Sequence, residues 1–271
     1  SYEKAIVINP NYVEAHYSLG LTFQDLGQLE NTVNSYKKVV AIKPDFAGMH
    51  NNLGNVYREL GELDTALKSY KKAIAIKPDF VEAFFNLGDI YQEQNLLDDA
   101  IKSYEKVITI KPSFAEVHNN LGTIFSELKQ LENAEESFRQ SILLKPNYAG
   151  AYYNLGNTLK DLRKIDEAEE SFRKAIVINP DYAEAHNNLG NIMKSHDRLE
   201  DAEASYKKAI AIKPDYAQAY NNLGTNFKKL GKLEEAEASF RKAIALDQKY
   251  AQAHCNLCLI LFANEDFDSA I

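Results

Sequence analysis

Seven prolines lie at positions 10, 44, 78, 112, 146, 180 and 214, each 34 residues after the one before. Leucine keeps the same interval from Leu19 to Leu257, and glycine keeps it from Gly20 to Gly224. A long, strict period is typical of a chain that stacks copies of one small unit. Such a chain presents a repeated surface rather than a single pocket.

Each unit is predicted to be a pair of helices. When the proline is numbered position 32, the unit 47–80 has apolar residues at helical spacing on both sides of Gly61. The glycine predicts a tight turn between two helices, and Pro78 ends the second because it lacks an N–H and restricts the residue before it. Asp79 with Glu82, and Asp181 with Glu184, are predicted to be capping boxes at the next helix.

The pattern resembles the tetratricopeptide repeat (TPR) over the whole chain. Glycine at position 8, alanine at 20, tyrosine or phenylalanine at 24, an aromatic residue at 34 and the proline all agree with that family. The resemblance implies an all-α fold, a right-handed superhelical α-solenoid of TPR helix-turn-helix units. We expect one array with half-repeats 1–12 and 251–271, as a fragment of a longer chain. Its full repeats are 13–46, 47–80, 81–114, 115–148, 149–182, 183–216 and 217–250.

Composition narrows the classes of partner. The net charge of −8 argues against a nucleic-acid partner, because a protein that binds nucleic acid is expected to carry a basic stripe. No apolar run approaches the length of a membrane span and no signal peptide is evident, so membrane insertion is not expected. The two cysteines give no disulfide framework, which favours an intracellular, cytoplasmic setting.

Asparagine dominates one position of the first helix. Position 6 is asparagine in seven of eight copies, with Ser18 as the exception. Asparagine is unfavourable inside a helix, so a recurring one needs a reason. Its amide offers a donor and an acceptor that match a peptide unit. By resemblance to the family, positions 2, 5, 6, 9, 12 and 13 face a concave groove, and the predicted peptide-binding residues are Asn52, Asn86, Asn120, Asn154, Asn188, Asn222, Asn256, Asn55, Asn157, Asn191, Lys160, Lys194 and Lys228.

Two functional classes remain open. The asparagine row looks like the substrate-binding superhelix of O-GlcNAc transferase and its bacterial and plant relatives, where asparagines hold the backbone of a protein substrate. The chain is therefore expected to be a protein–protein interaction scaffold that binds extended peptides. The alternative is the substrate-recognition arm of a larger glycosyltransferase whose catalytic part lies outside this segment. Recent duplication could also have copied the asparagines without a binding role.

The charge of positions 12 and 13 changes along the array. It runs from slightly negative in the first repeats to positive at Lys194, Lys228 and Lys229. This favours either a bound peptide oriented with its acidic residues near these lysines, or an accidental drift of a solvated surface.

No residue pattern indicates catalysis. Phosphate loops, nucleophile elbows and metal-binding helices are absent from the sequence, so we expect neither an enzyme nor a cofactor. The histidines at position 4 are expected to pack, and Cys255 and Cys258 to be structural substitutions. Exposed apolar faces are expected near both ends of the chain and predict head-to-tail self-association. Their residues are Tyr2, Ile6, Ile8, Phe262, Phe267 and Ile271.

Overall fold

The computed structural model describes the backbone of residues 2–268 and the side chains of residues 2–262. All of the secondary structure in this part of the chain is α-helix. In chain order the helices are α1 (Tyr2–Ile8), α2 (Val13–Asp25), α3 (Leu29–Ile42), α4 (Ala47–Glu59), α5 (Leu63–Ile76), α6 (Val81–Glu93), α7 (Leu97–Ile110), α8 (Ala115–Glu127), α9 (Leu131–Leu144), α10 (Ala149–Asp161), α11 (Ile165–Ile178), α12 (Ala183–Ser195), α13 (Leu199–Ile212), α14 (Ala217–Lys229), α15 (Leu233–Leu246) and α16 (Ala251–Asp268).

The helices alternate in length with the 34-residue period. A first helix of 13 residues, such as α10, is followed by a second helix of 14 residues, such as α11. The helices form two compact units, one up to Ile124 and one from Phe125 onward, with the boundary inside α8. Within each unit a helix packs against its neighbours in sequence, and α4 contacts α6 as α12 contacts α14.

The turn inside each pair uses a left-handed residue. In α4, the N–H of Gly61 donates to the carbonyl of Arg58 and the N–H of Glu62 to that of Tyr57, so Gly61 sits where a Schellman motif needs a positive φ. This agrees with the break predicted there. The same position is glycine in only some repeats; other residues with a positive φ are Asn95, Lys129, Arg163 and Asp197.

The predicted capping boxes are wrong. Helices α6 and α12 have Phe80 and Tyr182 as their N-cap residues, and neither end has a side-chain cap hydrogen bond. The ring of Tyr182 packs against that of Tyr153, with centroids 4.8 Å apart. Each of these helices therefore begins after an aromatic residue, and the aspartate falls within the preceding turn.

Each helix pair is closed by a ring on a glycine. The aromatic residue at position 24 is buried, as Tyr70 and Phe172 are, and lies against the glycine at position 8. A Cβ added to Gly156 would come within 2.7 Å of Cε1 of Phe172. Dense packing of this kind tolerates no extra atom, so glycine at this position is required for the two helices to approach.

In the second unit, ion pairs join neighbouring second helices. Glu169 of α11 accepts hydrogen bonds from Arg173, one turn further along, and from Arg198, which precedes α13, each at 2.6 Å. The hydrogen bond from Arg198 lowers the pKa of Glu169 against the effect of desolvation. Glu135 and Glu203 repeat this arrangement with their own pairs of cationic partners. In the first unit the same position carries apolar residues, Val33, Leu67 and Ile101.

Candidate functional site

The asparagine row at position 6 is half-buried throughout. Asn52, Asn86 and Asn120 belong to α4, α6 and α8, while Asn154, Asn188, Asn222 and Asn256 belong to α10, α12, α14 and α16. None is fully exposed, so each amide is held partly within the helix packing. The environment of each amide therefore determines what it can offer to a ligand.

Most of these amides donate a hydrogen bond to the preceding repeat. Nδ2 of Asn222 lies 3.0 Å from Oδ1 of Asn187, and Nδ2 of Asn256 lies 2.9 Å from Oδ1 of Asn221. In the first unit, Nδ2 of Asn86 is 3.0 Å from Oδ1 of Asn51. The row thus links successive first helices within each unit.

Where position 5 of the preceding repeat is Tyr153 or Phe85, the amide finds another acceptor. Asn188 follows a repeat with Tyr153 at position 5, and its Nδ2 donates to Oδ1 of Asn157 at 2.9 Å. Asn120 follows a repeat with Phe85 there, and its Nδ2 lies 3.3 Å from Oδ1 of Asp89 and 3.2 Å from the hydroxyl of Tyr104. The link between repeats is therefore kept although its acceptor changes.

The expectation that position 5 faces the groove is wrong where that residue is asparagine. Asn51, Asn187 and Asn221 are buried, and each accepts from the row amide of the next repeat. Buried polar groups need such partners. The signal was present in the paired asparagines of the Asn-Asn-Leu-Gly segments, one of which had to face inward.

The asparagines at position 9 also have internal partners. Tyr70 donates to Oδ1 of Asn55, and Tyr206 donates to Oδ1 of Asn191, both at 2.8 Å. Burial raises the pKa of Tyr206, so its hydroxyl remains a donor. In the repeat of Asn157 the position-24 residue is Phe172, which has no hydroxyl, and Oδ1 of Asn157 accepts a hydrogen bond from Asn188 instead. Asn55, Asn157 and Asn191 therefore lie beside the asparagine row and also stabilise the packing around it through their hydrogen bonds.

The row leaves acceptors available. Among the described residues, Oδ1 of Asn86, Asn120, Asn222 and Asn256 receives no hydrogen bond, whereas Oδ1 of Asn188 receives one from Asn187. Asn52, which follows Tyr17 at position 5 and Leu21 at position 9, has no side-chain hydrogen bond within the described part of the chain. The amide N–H groups of these asparagines are therefore used in hydrogen bonds within the protein, whereas the Oδ1 atoms can accept hydrogen bonds from a ligand.

In the first unit the basic residue at position 12 is neutralised. Arg58 pairs with Asp89 through Nη1 and with Glu93 through Nε and Nη2. Burial raises the pKa of Asp89, although the hydrogen bond from Tyr104 opposes this. Asn55, Arg58, Glu59, Asn86 and Glu93 line an open cleft of about 510 Å³.

In the second unit the lysines at position 12 lack such partners. Lys160 and Lys228 are exposed and Lys194 is half-buried, and in the described residues none of the three has a carboxylate within 4.0 Å. Nζ of Lys194 lies 5.8 Å from the ring centroid of Tyr206. Burial and the nearby Lys229 lower the pKa of Lys194. The predicted basic region therefore contains cations without internal counter-ions.

The other polar residues have structural roles. Nε2 of His16, His50 and His186 lies within hydrogen-bonding distance of the carbonyl oxygen of Pro10, Pro44 and Pro180, respectively. Burial lowers the pKa of His186, which favours a neutral ring. Cys255 and Cys258 are free and exposed, and no group of three side chains that could bind a metal ion occurs among the residues that the structure describes. No helix in the described part of the chain is long and apolar enough to cross a membrane.

Known proteins share this architecture. Residues 75–271 match the family model of the cilia and flagella-associated protein 70 C-terminal domain, and residues 1–27, 23–58 and 54–95 match that of the TPR repeat. The structure of MamA is 30% identical, with a TM-score of 0.56, over 61% of this chain and 97% of that one. The structure of YrrB, titled a TPR protein with an unusual peptide-binding site, is 25% identical, with a TM-score of 0.57, over 68% and 95%.

A tetratricopeptide repeat protein from Parabacteroides merdae has the same fold, with a TM-score of 0.66 at 21% identity over 92% of this chain and 98% of that one. No curated protein was found to match the sequence. The repeated helix pairs and these likenesses define an all-α repeat solenoid. The chain belongs to the tetratricopeptide-repeat family, and its residues 75–271 to the family of that C-terminal domain.

Proposed function

We propose that this chain is a non-catalytic protein-interaction scaffold that binds an extended peptide along its asparagine row. The observation that carries the proposal is the repeated orientation of the amides. Asn86, Asn222 and Asn256 each donate an amide N–H to the preceding repeat, and each keeps its Oδ1 available. A row of oriented acceptors suits a ligand that offers N–H donors at regular intervals, which a peptide backbone does.

The spacing of the row fits an extended chain. Packed helices lie about 8–10 Å apart. A polyproline II-like segment has three residues per turn and rises about 3.1 Å per residue, so every third N–H points the same way about 9 Å along. Successive asparagines of the row can thus each accept a hydrogen bond from the N–H of every third peptide residue, without contacting the side chains between them. YrrB, a TPR protein with an unusual peptide-binding site, supports peptide binding as a use of this fold.

The test compares retention of a randomised peptide pool by the wild type and by a variant with Asn120, Asn154, Asn188 and Asn222 all replaced by alanine. At about 0.5 kcal/mol or more for each lost hydrogen bond, affinity falls about thirtyfold or more. Both proteins are compared at a temperature where circular dichroism shows them fully helical. A variant with Lys174, Lys208 and Lys242 replaced by alanine on the second helices is the control. Equal retention by the asparagine variant and the wild type would overturn the proposal.

The same row would also serve the substrate-recognition arm of a larger glycosyltransferase. The resemblance to the O-GlcNAc transferase superhelix rests on the repeated position-6 asparagine. The sequence of the parent gene on both sides of this chain distinguishes the two functions. A glycosyltransferase domain there identifies the row as a substrate selector, and its absence leaves the scaffold.

We also propose that the chain associates head to tail. Val7 and Ile8 on α1, and Leu259 and Phe262 on α16, are exposed apolar side chains, whereas Ile6 is half-buried. The side chains of Phe267 and Ile271 lie outside the described residues. Exposed apolar side chains favour burial against a second copy. Sedimentation velocity at increasing concentration should show larger species, which replacing Ile8 and Phe262 by serine should abolish. A monomer at every concentration contradicts this.

A further inference from the structure

The contrast between Arg58 and Lys194 indicates a second feature of the site. Both occupy position 12, at the end of a first helix. Arg58 contacts positions 9 and 13 of the next repeat, where Asp89 and Glu93 supply carboxylates. For Lys194 those two positions are Thr225 and Lys229. The location that holds two anions in one unit therefore holds none in the other.

Lys194 is held in place although it has no counter-ion. Its ammonium group lies over the ring of Tyr206, whose hydroxyl is fixed by Asn191. Lys229 is close enough to oppose its charge, and the carboxylate nearest to Lys229 is the exposed Asp197 at 3.9 Å. Two like charges, one of them half-buried, disfavour each other unless an anion lies between them. Of the two lysines, only Lys229 has a carboxylate within 4.0 Å among the described residues, that of Asp197, and Lys194 has none.

We propose that Lys194 and Lys229 bind an anionic side chain of the peptide that occupies the asparagine row. This rests on the proposed function, because the row positions the peptide. Asn188 and Lys194 are six residues apart on α12, which is about 9 Å along the helix axis. A lysine side chain and a carboxylate or phosphate side chain together span that distance. The anion takes the place that Glu93 occupies beside Arg58.

This assignment has a consequence for peptide selection. The backbone contacts do not discriminate between sequences, whereas the lysine pair selects a segment with an acidic residue or a phosphoserine at one place. A partly exposed ion pair is worth little, so selection is modest, about threefold to tenfold for one anion. Lys228 lies next to Lys229, is exposed and contributes to the same positive field.

The experiment uses the whole chain and two pools of peptides of about ten residues, a length that spans the row within one unit. One pool is fully random and the other carries a fixed central phosphoserine. Retained peptides are sequenced for the wild type, for the variant with Asn120, Asn154, Asn188 and Asn222 replaced by alanine, and for two lysine-pair variants. These are K194Q/K229Q and T225D/K229E, of which the second gives Lys194 the carboxylates that Arg58 has. K208Q/K242Q, on the second helices, removes two lysines as a matched control.

The inference predicts that the wild type and the control enrich acidic peptides about threefold to tenfold, or retain the phosphoserine pool preferentially, which identifies the anion's source. Both lysine-pair variants should lose this enrichment while retaining total peptide. Peptide retention without acidic or phosphoserine preference, or with a preference that survives T225D/K229E, overturns the inference and leaves the scaffold intact. Enrichment that survives replacement of the row asparagines overturns peptide binding along the row instead. No retention by any protein overturns both.

Discussion

Asn222 donates its side-chain amide to Oδ1 of Asn187, 3.0 Å away in the preceding repeat, and Asn187 is fully buried. This contact makes the asparagine row part of the fold. Replacing Asn222 by alanine leaves a buried acceptor without its donor, which costs about 1–3 kcal/mol. The better helix propensity of alanine returns only a few tenths. Urea denaturation followed by circular dichroism should show the loss.

Asn52 is the matched control for that measurement. It occupies the same position, but no side-chain hydrogen bond of Asn52 is found among the described residues. Alanine there should leave the free energy of unfolding unchanged or raise it by a few tenths of a kcal/mol. If both substitutions cost the same, the contact between Asn222 and Asn187 does not stabilise the protein.

Gly156 and Gly150 lie on the same helix and should respond oppositely to alanine. At Gly156 the new Cβ meets the buried ring of Phe172, and overpacking of this kind costs about 1–3 kcal/mol. At Gly150 the nearest neighbour is Cε2 of the Tyr148 ring at 3.3 Å, which can adjust, and the helix gains up to about 1 kcal/mol of propensity. Thermal unfolding should separate the two variants, and a G156A protein as stable as wild type contradicts the packing argument.

The left-handed turn residue gives a third test. Arg163 has φ of 64°, where a side chain costs about 1–2 kcal/mol, whereas Gly61 has φ of 76° at the corresponding turn. Arg163→Gly should stabilise the protein by about 0.5–1 kcal/mol, after the larger entropy loss of glycine is subtracted. Gly61→Ala should destabilise it by a similar amount. The opposite signs are the diagnostic result of the two denaturation curves.

Acid should weaken the second unit through its glutamates. The pKa of Glu169 is lower in the fold than its ordinary value of 4.5, so the folded state binds fewer protons than the unfolded state near that pH. The carboxylate therefore stabilises the fold above about pH 4.5, and this contribution disappears as the pH falls through the lowered pKa. Glu135 and Glu203, whose pKa values are also lowered, add to the effect.

Hydrogen exchange measured between pH 6 and pH 3.5 can locate this loss. After correction for the intrinsic pH dependence of exchange, protection should fall first in α11 and α13, and not in α5, where the corresponding position is Leu67. Glu169→Gln should flatten the pH dependence of the second unit, whereas Glu170→Gln, on the exposed face, controls for the loss of one carboxylate. A pH profile unchanged by E169Q would mean that the pairs with Arg173 and Arg198 carry no net stability.

The sequence predicted the features that depend on a single repeat. The helix pairs, the break at Gly61 and the close approach at position 8 follow from local spacing and residue size. The predicted capping boxes are wrong because the helix begins one residue later than Asp181, after Tyr182, whose ring packs on Tyr153 of the preceding repeat. Local propensity alone cannot predict that contact.

Features that join repeats were harder to predict. The bond from Asn222 to Asn187 links residues 35 apart, and that from Asn188 to Asn157 links residues 31 apart. Neither offset equals the period, so comparing like positions does not find them. The neutralisation of Arg58 by Asp89 and Glu93 was missed for the same reason. A sum of charges at positions 12 and 13 counts Arg58 and Glu93 without showing that they pair, and it leaves out Asp89 at position 9.

The alternative acceptors of the asparagine row bear on how such an array can change its length. If repeat 183–216 were lost by recombination, Asn222 would follow Tyr153 and Asn157, the pair that already serves Asn188. If repeat 47–80 were lost, Asn86 would instead follow Tyr17 and Leu21, the surroundings in which Asn52 has no partner. Loss of a repeat would therefore remove a hydrogen bond of the asparagine row at some junctions between repeats and keep it at others.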